Sequence, residues 1–271
     1  MKNILKLLLF CAPIAYLGLI VTVAVHEFGG HALVGYKMGV PIADVVLLPD
    51  GMGWVRFGDS DIPLSDFQTF LISISGVALT TLLGLIFVLL GRLFYKKTAL
   101  ALFLFIFGLN FILDGVTYTF FNSLVPAPPG DLNHVLTIYP ELRTIFMYAS
   151  GALLFLSLFY VNYWVFKILE SYVNNGQVLS RIKQLILLGL MLVVQSVLFL
   201  VFDWNQLAEG IDQLPNKISI SLIAIILLII YMINKRQTPI IASNVFSWKI
   251  ITFAWCMTII GVLGMLKYLP A

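Results

Sequence analysis

The chain has 271 residues, of which 61% are hydrophobic and 11% charged, with a formal net charge of +3. Soluble domains carry roughly 25% charged residues, so a mean hydropathy of +1.01 excludes an ordinary water-soluble fold and describes a polytopic protein of the lipid bilayer. Two cysteines, both inside apolar runs, exclude a disulfide framework or a cysteine zinc knuckle, and the absence of a basic patch interleaved with aromatics leaves nucleic-acid binding without support.

A spanning helix needs about 20 mostly apolar residues. Seven runs qualify in chain order, at 5–36, 68–91, 98–121, 145–168, 183–202, 218–234 and 248–268. The expected fold is an all-α polytopic membrane protein of about seven transmembrane helices. The first run continues into a histidine-bearing stretch with no small-residue cleavage site between, so no cleavable signal peptide is expected. With the N-terminus cytoplasmic, eleven of the sixteen Lys and Arg fall on the inside. These include Lys2, Lys6, Arg92, Lys96 and Lys97, a bias that favours N-in and C-out.

The first run carries "AVHEFGGHALVG", with His26, Glu27 and His31. Two histidines four apart, with a glutamate beside the first, make a zinc-protease helix motif, H-E-x-x-H. Here the histidines are five apart. A helix turns about 100° per residue, so a straight one would aim them about 140° apart. One π-bulge, with i→i+5 hydrogen bonding, would absorb the extra residue, and Gly29 and Gly30 supply backbone freedom in the interval. Ionisable groups within a span cost a few kcal/mol each and mark function; a divalent cation would offset that cost, and zinc favours imidazole and carboxylate.

After the first run, "VVLLPDGMGWVRF" reads as two short β-type runs around Pro49-Asp50-Gly51. The segment from Pro41 to Leu64 therefore predicts a β-hairpin near the membrane surface. Between the third and fourth runs lies "NSLVPAPPGDLNH". Its prolines forbid a regular helix through 126–129, while Asp131 can open one. A catalytic zinc usually takes three protein ligands and a water. Candidates for the third are Asp131, Asp114 of "LNFILDGVTY", and His134, which is three residues past Asp131. Asp131 could instead cap a helix, Asp114 could be a packing or proton-carrying carboxylate, and His134 could support a ligand. Asn122 could orient a ligand or substrate backbone, or cap a helix end.

These stretches together resemble the site-2 proteases, intramembrane zinc metalloproteases that carry H-E-x-x-H on one core helix and N-x-x-P-x-x-x-L-D-G two helices later. "NSLVPAPPGDL" is similar to the second motif with one residue added and Leu132 in place of its last glycine. "ISISGVALTTLLG" is similar to the family's small-residue helix, with Thr80 and Thr81 where an asparagine is expected. The resemblance covers about residues 18–160 and is closest to the shorter bacterial branch without a PDZ domain.

It implies a zinc metalloendopeptidase of the bacterial inner membrane. Zn2+ would be held by His26, His31 and Asp131, Glu27 would be the general base, and the substrate would be a transmembrane protein. It divides the chain into a core at 1–168 carrying the metal site and three additional C-terminal transmembrane helices at 169–271. The competing expectations are a catalytically inactive membrane pseudoprotease, favoured by the stretched motifs, and an ion or metal transporter. The transporter predicts ionisable residues spread along a pathway rather than gathered in one helix and one loop.

Overall fold

A computed structural model describes residues 2–48, 51–58, 63–124, 130–173 and 247–265, with a few isolated positions between 184 and 229. The described residues form six helices and a hairpin. Helix α1 runs through Lys2–Ala24, a π-helical segment Val25–Ala32, and Leu33–Lys37. Strands β1 (Ile42–Leu47) and β2 (Gly53–Phe57) follow. Then come α2 (Asp66–Leu93) and α3, which is built of Thr98–Ile112, a second π-helical segment Leu113–Thr117, and Tyr118–Ser123. The last three are α4 (Asp131–Ile138), α5 (Leu142–Val173) and α6 (Trp248–Met265).

Four of these helices are long and apolar enough to cross a membrane: α1, α2, α3 and α5. The chain is a multi-pass membrane protein by that measure, and the expectation of about seven transmembrane helices is corrected. Expected spans 183–202 and 218–234 lie, isolated positions apart, outside the described residues. Of the run expected at 248–268, the described part, Trp248–Met265, forms α6, an apolar helix shorter than the other four. Apolar composition tells a segment to avoid water; it does not say whether it crosses the bilayer or packs along a helix that does.

Packing of α6 on α1 answers a defect written into the sequence. Pro13 lies inside α1 and has no N–H to donate to the carbonyl of Leu9. The Trp255 indole N–H donates to that oxygen at 3.0 Å, and the Thr258 hydroxyl donates to the Pro13 carbonyl at 2.8 Å. An open carbonyl in hydrocarbon would cost several kcal/mol, so α6 supplies what α1 lacks.

Helix α2 starts in a capping box: Ser65 Oγ accepts from the Gln68 N–H at 3.3 Å, and Gln68 Oε1 accepts from the Ser65 N–H at 3.0 Å. Small residues then let α2 and α3 approach closely; a Cβ on Gly84 or on Gly108 would come within 3.0 Å of the other's carbonyl oxygen. Around α3 the buried Phe105, Phe111 and Ile112 join Leu154 and Leu158 of α5 and Phe10 and Ile14 of α1 in the main apolar core.

The expected hairpin is present, with β1 and β2 antiparallel and Val45 opposite Val55. Val45, Val46 and Leu47 are buried. It lies along the second half of α1. A Cβ on Gly51 would meet Leu19, one on Gly53 would meet Val23 and Glu27, and Phe57 touches the space beside Gly35.

Candidate metal centre

Both π-helical segments face the same stretch of α2. In the first, i→i+5 bonding stacks residues five apart over one another, and the His26 and His31 rings sit with centroids 4.8 Å apart. The extra residue of the stretched motif is taken up by the backbone. Gly30 rests on the backbone of Gly76, where any Cβ would collide. The second segment turns Asp114 toward the first, and its Gly115 lies against the Val77 carbonyl and the hydroxyls of Thr80 and Thr81.

The two imidazoles are anchored on the same side of their rings. His26 Nδ1–H donates to Asp114 Oδ2 at 2.7 Å, and His31 Nδ1–H donates to the Ile72 carbonyl at 2.7 Å. A carbonyl oxygen and a carboxylate can only accept, so Nδ1 carries the proton and Nε2 presents a lone pair in the neutral ring. Both Nε2 atoms then converge on one carboxylate. Asp131 Oδ2 lies 3.1 Å from His31 Nε2 and 3.6 Å from His26 Nε2. Asp131 opens α4, outside the spanning helices. Burial opposes its ionisation, but while Nε2 carries a second proton the two imidazolium rings outweigh burial and hold its carboxyl below the ordinary range; a bound metal would take the place of those protons.

The donor set suits a divalent ion. One ligand atom from each of His26, His31 and Asp131 lies within 4.8 Å of the others, and two imidazole nitrogens with a carboxylate oxygen match the donors zinc prefers. Gly76 keeps the space in front of them open: a Cβ there would stand 2.7 Å from His31 Nε2 and closer still to His26 Nε2. The chain therefore holds a cluster able to chelate a metal ion, with two ligands on a membrane helix and the third at the start of α4.

Glu27 is buried beside His26 at 6% exposure. It lies close enough to His26, His31, Asp131 and Asp114 for each to act on its charge, and no hydrogen bond is formed by its carboxylate among the described residues. The hairpin backs it, with the missing side chain of Gly53 only 2.9 Å from Glu27 Cγ.

The remaining expected residues are placed differently. Asp114 touches His26 on the ring edge away from the cluster. His134 is exposed on α4 and is not among the clustered ligand atoms. Asn122 is buried near the end of α3. Sequence reasoning missed Gly76 and the Ile72 carbonyl; the "SISG" run gave a small-residue signal for the first, and a backbone acceptor leaves no sequence signal at all. No protein-family model matches the chain, and no curated protein and no solved structure matches it either.

Proposed function

We propose that this chain is an intramembrane zinc metallopeptidase of the site-2 protease type, acting on transmembrane protein segments. The observation that carries the reading is the pairing of a converged His26–His31–Asp131 donor set with a buried, unbonded Glu27. A site built only to hold an ion in place needs no such carboxylate.

His26, His31 and Asp131 would hold the ion. Zinc bound there supplies Lewis acidity, which acidifies water and polarises a carbonyl. Asp114 and the Ile72 carbonyl keep both rings oriented and Nε2 free for the ion. Glu27 Oε takes a proton from the attacking water and returns it to the amide nitrogen as the peptide bond breaks. Hairpin β1–β2 stands beside Glu27, and its outer edge offers main-chain hydrogen bonds to an unwound substrate.

The reaction belongs to the membrane core at 1–168. For orientation, the turn between α2 and α3 is read as cytoplasmic, which puts the N-terminus on the same side of a bacterial inner membrane. There Arg92 stacks 4.0 Å over Trp164, with Lys96 and Lys97 beside it, a cationic and aromatic cluster of the interfacial kind.

The test is cleavage of a reporter transmembrane segment by the chain reconstituted in vesicles, wild type beside Glu27→Gln. Glu27→Gln is expected to lose roughly 10²–10⁴-fold in rate while keeping about one zinc per chain by mass spectrometry. Equal rates in the two proteins would overturn the assignment of Glu27, and zinc with no cleavage in the wild type would overturn the protease reading.

A further inference from the structure

Helix α4 carries Asp131 in its first position yet has no cap of its own. Its N-cap residue is Gly130, which offers no side-chain acceptor. The first N–H groups of a helix need partners from elsewhere, at a cost if they are left without. A polar group stands there on a different helix: the phenolic oxygen of Tyr118 lies at the N-terminus of α4, beside Gly130.

The local geometry leaves little choice. Gly130 has φ +68°, in the left-handed region that favours glycine. A Cβ on it would stand 2.6 Å from the Tyr118 oxygen. The Tyr118 ring also packs on the buried face of α4, against the cluster of Leu132, Val135 and Leu136. On α3, Tyr118 follows Asp114 by four residues. One residue of that turn holds His26, and the next reaches the backbone that presents Asp131.

We propose that Tyr118 is a positioning residue, a cap supplied from α3 that fixes the first turn of α4 and so holds the Asp131 carboxylate against the two imidazole Nε2 atoms. The proposal rests on the metal-site reading for its consequence and on backbone geometry for its substance. Loss of the phenolic oxygen removes the acceptor nearest the start of α4, lets the first turn fray, and moves the carboxylate off the histidines. The ring itself is needed for packing, so the informative change is Tyr118→Phe.

Three readouts on Tyr118→Phe separate the possibilities. In metal-free protein, amide exchange at Asp131 and Leu132 is expected to accelerate roughly tenfold, the loss a missing cap produces. In the same sample the His31 Nε2 nitrogen resonance is expected to shift as Asp131 withdraws. In titrations with zinc, the dissociation constant is expected to rise roughly 10–100-fold, as when a ligand's support is removed. Gly130→Ala, which attacks the same contact from α4, should reproduce all three.

Unchanged exchange at the two amides in folded Tyr118→Phe would overturn the cap. Faster exchange with an unmoved His31 resonance would overturn the positioning role. Failure of the wild type to bind zinc would overturn the metal reading alone, because the two metal-free readouts still decide the role of Tyr118.

Discussion

The two π-helical segments use one backbone device for different ends. The first, Val25–Ala32, brings two imidazoles onto one side. The second, Leu113–Thr117, turns a carboxylate to hold one of those imidazoles from behind. Each places a glycine on α2 between Gly76 and Thr81, so a little over one turn of α2 sets the register of both. They are braced differently. Residues 25–36 contain no serine or threonine, and the first bulge is fixed by backbone meeting backbone at Gly30 and Gly76. In the second, the Thr119 hydroxyl donates to the Gly115 carbonyl at 2.8 Å. The comparison teaches that the bulge presenting donors is tied to its neighbours by its own imidazoles and by close backbone contact, while the bulge presenting support adds a hydroxyl bond within its own helix.

The comparison breaks first at the donors. His31→Ala is expected to abolish stoichiometric zinc, measured by mass spectrometry on purified protein, because two remaining ligands do not make a zinc site. Asp114→Asn sharpens the distinction between donor and support. It should keep the metal but weaken its binding roughly 10–100-fold, read by competition with a chelator; complete loss of metal would make Asp114 a ligand instead.

Next come the glycines. A helical Gly→Ala change ordinarily stabilises by about 1 kcal/mol. At Gly30 and Gly115 the sign is expected to reverse, with a net cost of about 1–3 kcal/mol from overpacking. Gly30→Ala should be the worse, because all of its nearest obstacles are backbone, whereas beside Gly115 one backbone carbonyl, that of Val77, shares the space with two threonine hydroxyls that can rotate. Thermal midpoints in detergent compare the two. The smallest effect is expected from Thr119→Val, about 0.5–1.5 kcal/mol for one lost hydrogen bond, with zinc content unchanged.

The first bulge was legible because two histidines five apart in a helix reach one side of it only if the backbone takes up a residue. The start of α4 at Asp131 was legible from the prolines before it, and the hairpin from Pro49-Asp50-Gly51. Asp114 was visible only as a carboxylate in a span, and sequence left it as an alternative third ligand. Its turn toward His26 depends on a bulge with no second residue to fix a spacing. Tyr118 carried no signal, since a tyrosine in an apolar helix reads as an ordinary membrane aromatic. Counting spans failed for a different reason: hydropathy scores each segment alone, while the place of α6 depends on the carbonyl that Pro13 leaves open.

That carbonyl has a consequence for how the protein is made. Helix α1 precedes α6 in the chain, and the indole that serves Leu9 lies 246 positions further along. Until α6 is made and docked, the Leu9 oxygen lacks that donor. The fitness of the first helix for the bilayer therefore depends on a segment far along the chain, and a chain cut before Trp248 is expected to keep an open carbonyl in α1.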